Sequence, residues 1–256
     1  MKIGVQLYTV RKAAENVNDL GETLKRIADM GYTTVQVSGI CPFEPAWMRE
    51  QLARNGLRCV LTHVPYDRLR DETEAVIREH EVFNCKNIGL GNIPGSKFLT
   101  DELYDQFVKD YKPTVKKMQQ AGAKFFFHNH YMEFKKSGNG VPYLWRMVED
   151  FSPEELRLTL DTYWVQFAGA DVCDTMRALS GRLECIHLKD MVIWEEDRSH
   201  RMAPVGHGNM NFEKIVQVAA DCGTEYLLVE QDKCYDEDPF VCLKKSYDYL
   251  HSLGLN

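Results

Sequence analysis

The sequence predicts a closed α/β barrel of eight strands and eight helices, a (β/α)8 fold, on three observations. Short apolar runs alternate with amphipathic segments eight times along the chain. The runs are almost continuously apolar, as strands buried on both faces must be. The 256 residues match the ~250 typical of one such barrel.

The first strand is read at Ile3–Leu7, with an amphipathic helix following over 18–30. MGYTTVQV then places Gly31 just past the helix and begins the second strand, Thr34–Val37. A helix over 45–55 ends in NGLRCVL, where Gly56 precedes the third strand, Arg58–His63. The helix over 69–82 leads to the fourth strand, Asn87–Leu90, and the helix over 101–121 to AGAKFFF and the fifth, Lys124–His128. Helices over 141–149 and 171–179 precede the sixth strand, Arg157–Leu160, and the seventh, Cys185–Leu188. The helix over 212–221 ends in CGTEYLLV before the eighth strand, Tyr226–Glu230, and a helix over 237–252 closes the chain. Glycine between helix end and strand start is the punctuation expected of such connections, because it takes the left-handed conformation that ends a helix.

An open doubly wound sheet is the rival, and it usually declares a glycine-rich loop after its first strand. Here QLYTVRKAAEN follows, without a glycine cluster. No linker, low-complexity tract or 20–50-residue repeat divides the chain, so residues 1–256 are read as one barrel domain. GLGNIPGSK, after the fourth strand, lacks the spacing of a phosphate loop. No dinucleotide fingerprint or G-x-S-x-G elbow is present.

Composition bounds the function. Hydrophobic residues make up 44% and charged residues 27%, an ordinary globular balance. The net charge of -7 argues against nucleic acid as a partner, which needs a basic face. No run of ~18 apolar residues suggests a membrane span, and MKIGVQLYTV reads as a strand, not a leader. The eight cysteines form no C-x-x-C pair, and several sit in strand-like runs. They are read as reduced core residues of a cytoplasmic protein.

Chemistry in such a barrel comes from the C-terminal ends of the strands. Gln6 closes the first strand, His63 the third, His128, Asn129 and His130 the fifth, Asp161 the sixth, His187 the seventh and Glu230 the eighth. One polar residue there more often caps a loop. Several in register are different, because burying acids together is costly in desolvation and repulsion. A divalent cation removes that cost, and carboxylates with imidazoles and no thiolate suit Mn, Mg, Zn or Co.

These segments resemble the xylose-isomerase-like barrel superfamily along essentially the whole chain. That group includes sugar phosphate isomerases and epimerases, ketose 3-epimerases, inosose dehydratases and DNA-repair endonucleases. Its members commonly hold one metal ion with Glu, Asp, His and Glu from strands five to eight. LDTYW, HLKD and VEQD match three of these positions, which implies Asp161, His187 and Glu230 as ligands. The fifth strand departs from the pattern. GAKFFFHNHYMEF places His128 where the family has Glu, so His128 is the expected fourth ligand, with His130 and Glu133 as alternatives.

The resemblance implies a divalent-metal-dependent sugar or sugar-phosphate isomerase or epimerase acting on a small carbohydrate through an enediolate-like intermediate. The missing strand-five Glu raises a lyase or dehydratase of a keto-sugar or cyclitol as the alternative. An endonuclease would need a basic face and further ligands, and a non-catalytic binding barrel would take up no metal. Catalytic roles fall to Glu230, to His128 or His130, and to Lys189, which binds a substrate oxygen or else stands solvated at the rim. Candidate substrate contacts are Gln6, His63, Glu133, Trp164 (with Tyr8 as an apolar wall), and Arg201 and His207 in the loop ending P-x-G-x-G. Dimers and tetramers are common in the family, so a homo-oligomer is compatible with the resemblance.

Overall fold

The computed structural model describes residues Met1–Asn256. β1 (Lys2–Gln6) is followed by α1 (Val17–Asp29), β2 (Thr34–Val37) by α2 (Pro45–Arg54), and β3 (Arg58–His63) by α3 (Tyr66–Asp71) and α4 (Thr73–Val82). β4 (Asn87–Leu90) leads to α5 (Asp101–Gln120), β5 (Lys124–His128) to α6 (Tyr143–Asp150), and β6 (Arg157–Asp161) to α7 (Thr162–Phe167) and α8 (Val172–Ala178). After β7 (Cys185–Leu188) come β8 (Asp190–Ile193), β9 (His200–Ala203) and α9 (Phe212–Asp221). β10 (Tyr226–Val229) and α10 (Pro239–Ser252) complete the chain. Eight parallel strands close in the order β1-β10-β7-β6-β5-β4-β3-β2, the predicted barrel.

Side chains fill the barrel rather than leaving a pore. Leu61, Phe126, Cys185 and Leu228 pack together inside it, fully buried. Gly89 on β4 makes room for them: a Cβ there would stand 2.8 Å from the Phe126 carbonyl oxygen. Outside the barrel, Leu24, Ile27, Phe107, Met147 and Leu243 lay the apolar faces of the helices on the strands. All eight cysteines are free thiols. No helix is long and apolar enough to cross a membrane.

The structure differs from the sequence reading in five places. The single helix read over 69–82 is two, broken at Glu72, whose φ of -118° and ψ of 30° are not helical. α7 follows β6 without a loop, because the Asp161 side chain caps it by accepting from the Trp164 N–H at 3.0 Å. The loop read after the seventh strand contains an antiparallel ribbon, β8 with β9. β1 stops at Gln6, Leu7 opening a 3-10 turn, and β10 stops one residue short of Glu230.

Candidate active site

Four neighbouring strands, β5, β6, β7 and β10, carry at or beside their C-terminal ends a side chain of a type that can ligate a metal. His128 and Asp161 are the last residues of β5 and β6, His187 lies on β7, and Glu230 follows β10. Parallel pairing puts Asp161 level with His187, and His187 level with Leu228. One ligand atom from each of His128, Asp161, His187 and Glu230 therefore lies within 4.8 Å of every other, and all four residues are buried. His128 Nε2 is 3.2 Å and His187 Nδ1 3.8 Å from Asp161 Oδ2, and His187 Nδ1 is 2.9 Å from Glu230 Oε2.

The surroundings fix which imidazole nitrogens face this centre. His128 Nδ1 lies 3.2 Å from the Gly91 carbonyl oxygen, which can only accept, so this nitrogen carries the proton. His187 Nε2 donates to Gln36 Oε1 at 2.6 Å. With these outer nitrogens protonated, both rings can turn a lone pair inward, the arrangement by which outer partners orient metal-ligating histidines, although His128 Nε2 also stands at hydrogen-bond distance, 3.2 Å, from Asp161 Oδ2. His187 Nδ1 and Glu230 Oε2 are close but neither makes an aligned hydrogen bond. Two buried acceptors at that spacing repel unless a proton or a cation joins them. Donors ~2.1 Å from one ion lie at most about 4.2 Å apart, so a small inward movement suits this set to a divalent ion.

Lys189 stands against the carboxylates. Its Nζ is 2.9 Å from Asp161 Oδ2, 2.9 Å from Glu230 Oε2 and 3.1 Å from Asp232 Oδ2, and the side chain is 1% exposed. The expectation of a solvated rim lysine is corrected. Its backbone is held by Thr162, whose hydroxyl accepts from the Lys189 N–H and donates to the Lys189 carbonyl oxygen, both at 2.9 Å. Burial opposes the charge on Lys189, but Asp161, Glu230 and Asp232 outweigh it and raise its pKa well above the usual value. Burial likewise opposes the charges on Asp161 and Glu230, yet Lys189 and the neighbouring histidines hold both carboxyls well below the usual range. His187 is raised, its carboxylate neighbours overcoming burial. Burial and the His128 ring push His130 down to about 3, and burial and the nearby Glu230 push Asp232 up to about 7.

Above the cluster lies a cavity of ≈ 1040 Å³, bounded by Gln6, His63, His128, His130, Trp164, Lys189, Glu230 and Asp232 among others. His63 reaches across the mouth, its ring 5.5 Å from that of His128 and 5.9 Å from that of His187. Trp164 forms a wall 5.4 Å from the His130 ring. Gln6 accepts from the Tyr8 N–H at 3.3 Å, and Tyr8 also borders the space. Asp161 and His187 lie beneath the floor, fully buried.

Three candidates stand elsewhere. Glu133 is fully buried away from the cavity, accepting from the His130 N–H at 2.8 Å. Arg201 pairs with Asp197 at 3.3 Å and lies over Trp194, while His207 is exposed; neither borders the cavity. The P-x-G-x-G segment is held instead by Asp190, whose carboxylate accepts from the N–H groups of Met191, Gly206, Gly208 and Met210.

Three supporting residues had no role in the sequence reading, although it placed Asn129 at the rim. Gln36 sets the His187 tautomer, Asn129 accepts from the Asp161 N–H at 3.1 Å, and Asp232 shares Lys189. A polar residue within the apolar run TVQV was the available signal for Gln36.

The sequence matches the model of the xylose isomerase-like TIM barrel over residues 24–241. No curated protein matches it. Among solved structures, a sugar phosphate isomerase/epimerase from Parabacteroides distasonis ATCC 8503 superposes with a TM-score of 0.81 at 20% identity, over 98% of this chain and 93% of that one. An L-ribulose 3-epimerase gives 0.77 at 15% identity, over 99% and 94%. A probable 3-DHS dehydratase involved in petrobactin synthesis, from Bacillus anthracis, gives 0.74 at 15% identity, over 98% and 99%.

Proposed function

The chain belongs to the xylose isomerase-like TIM barrel family, and from that premise we propose that it is a divalent-metal-dependent enzyme that moves a proton beside the carbonyl of a sugar, as isomerases and epimerases do. The observation that carries this reading is the buried His128, Asp161, His187 and Glu230 cluster at the floor of a polar cavity. These four residues would hold the ion. When bound, such an ion polarises a substrate oxygen and so acidifies the adjacent C–H.

The chain's own groups divide the remaining work. Glu230, held ionised by Lys189 and His187, takes the proton as general base. The Lys189 ammonium exchanges its contact with Asp232 for a hydrogen bond to the substrate oxygen on which charge develops, within a water-poor floor where that bond is strengthened. His130 and His63, uncharged at neutral pH because burial lowers both, hydrogen-bond sugar hydroxyls. Trp164 packs against the ring.

The dehydratase reading has one specific observation in its favour. An epimerase needs a second acid or base facing Glu230 across the substrate, and the only carboxylate of the fifth-strand loop, Glu133, is turned away beneath the floor. One base together with an ammonium donor suffices for elimination of water.

Proton exchange tests the proposal. Metal-loaded protein incubated with aldoses, ketoses and keto-sugars in D2O is expected to place deuterium next to the carbonyl of its substrate. Exchange should be lost with chelator and in Glu230→Gln. Loss of water in place of exchange selects the dehydratase. One ion bound per chain, with no reaction of any carbonyl sugar, would contradict the enzyme reading.

A further inference from the structure

The cavity is larger than one sugar ring requires. Its ≈ 1040 Å³ stands at the top of the roughly 300–1,000 Å³ range of sites that enclose drug-sized ligands. The side chains at its two ends differ in chemistry.

At the cluster end, His63 Nε2, His130 Nδ1 and Trp164 Nε1 are buried without any hydrogen-bond partner, and all three residues border the cavity. Buried polar atoms are seldom left unpaired. His63, His130 and Trp164 border one space, and a small movement of these rings would bring their unpaired nitrogens to a ligand rich in hydroxyl groups. At the far end, the segments after β2 and β3 supply Ile40, Phe43, Val64 and Pro65. Phe83 backs Phe43, ring centroids 6.1 Å apart. This end offers apolar contact.

All the lining cations but Lys97 are already matched. Lys189 is shared by three carboxylates. Arg68 donates to both oxygens of Glu79 at 2.6 Å. Lys97 is exposed and makes no ion pair. Arg11, just outside, donates to the carbonyl oxygens of Tyr8 and Asp232. The lining acids Glu44, Glu79, Glu230 and Asp232 outnumber the lining cations Arg68, Lys97 and Lys189. A phosphate dianion would meet no bidentate or buried clamp of the kind that recognises phosphate.

We propose that the substrate is an uncharged glycoside whose reacting ring carries a keto group, and not a sugar phosphate: that ring lies among His63, His130 and Trp164, and its second ring or apolar substituent lies along Ile40, Phe43 and Val64. The inference deepens the function proposed above and rests on it.

Titration calorimetry of the Mn2+-supplied protein tests it with glucose, galactose and mannose, their phenyl glycosides and their 6-phosphates. At least one phenyl glycoside is expected to bind at least tenfold tighter than its parent sugar, with each 6-phosphate no tighter than the parent. Phe43→Ala, and separately Ile40→Trp, which fills the apolar end, should each remove the tenfold advantage and leave the parent's affinity unchanged. A 6-phosphate binding tighter than its parent overturns the inference, as does a panel in which no glycoside exceeds its parent. Mn2+ uptake measured on the same samples separates the two readings. An ion bound with no glycoside preference overturns this inference alone, and absence of uptake overturns the metal reading.

Discussion

Replacing Lys189 with methionine keeps the length of the apolar stem and removes its ammonium. In the native protein that group is 1% exposed and lies 2.9–3.1 Å from oxygens of Asp161, Glu230 and Asp232. Its loss leaves three acids in one buried space. Breaking a buried ion pair from one side costs about 3–5 kcal/mol. For a chain of this size, where each kcal/mol moves the unfolding midpoint by about 2–4 °C, the fall is roughly 6–20 °C. A divalent ion at the cluster would replace part of the missing positive charge, and an ammonium no longer repels it. Thermal unfolding in chelator and in saturating Mn2+ reads both effects. Lys189→Met should be strongly destabilised in chelator, should recover much of the deficit with the ion, and should bind Mn2+ more tightly than the parent. The same deficit in both conditions, or none in chelator, would refute the reasoning.

Gln36→Leu removes the acceptor that holds the His187 ring. Divalent-ion affinity should fall about 10–100-fold, as for other outer partners of ligating histidines; unchanged affinity by calorimetry would show that Gln36 plays no such part. Burial pushes Glu133 up to about 7. The folded state therefore holds a proton that the unfolded chain releases near pH 4.5, and stability falls as pH rises between these values, by on the order of 3 kcal/mol. Glu133→Gln should lose that dependence in urea unfolding from pH 4.5 to 7, and a variant that keeps the parent's slope would assign it to other groups. Asp190→Ala strips four backbone N–H groups of their acceptor. Amide exchange at residues 206–210 should accelerate with metal uptake intact, whereas unchanged protection there would contradict the anchoring role.

The barrel was readable because alternation, glycine punctuation and doubly buried strands all require the same closed parallel sheet. His128, Asp161, His187 and Glu230 were readable because the fold sends strand ends to one rim, and the structure brings these four together. What escaped depended on side-chain direction across the barrel. Gln36 is a polar residue in the apolar run TVQV, and only β2 facing β7 across the interior gives it His187 as a partner. Lys189 was left open as a rim residue, since only the geometry of Asp161, Glu230 and Asp232 draws its ammonium down. α7 is short and starts at once after β6, so its cap, Asp161, reads in the sequence only as a strand-end acid. Arg201 and His207 were suggested by a loop whose glycines serve the Asp190 carboxylate. A Cβ on Gly208 would come within 2.6 Å of Asp190 Cγ.

The central claim is that His128, Asp161, His187 and Glu230 hold one divalent ion. Elemental analysis of Mn2+-loaded and exhaustively dialysed protein tests it most directly, with folded Asp161→Asn and His128→Ala measured alongside. The account predicts about one ion per chain in the parent, and little or none in either variant. A full ion retained in Asp161→Asn, or none in the parent, would contradict it.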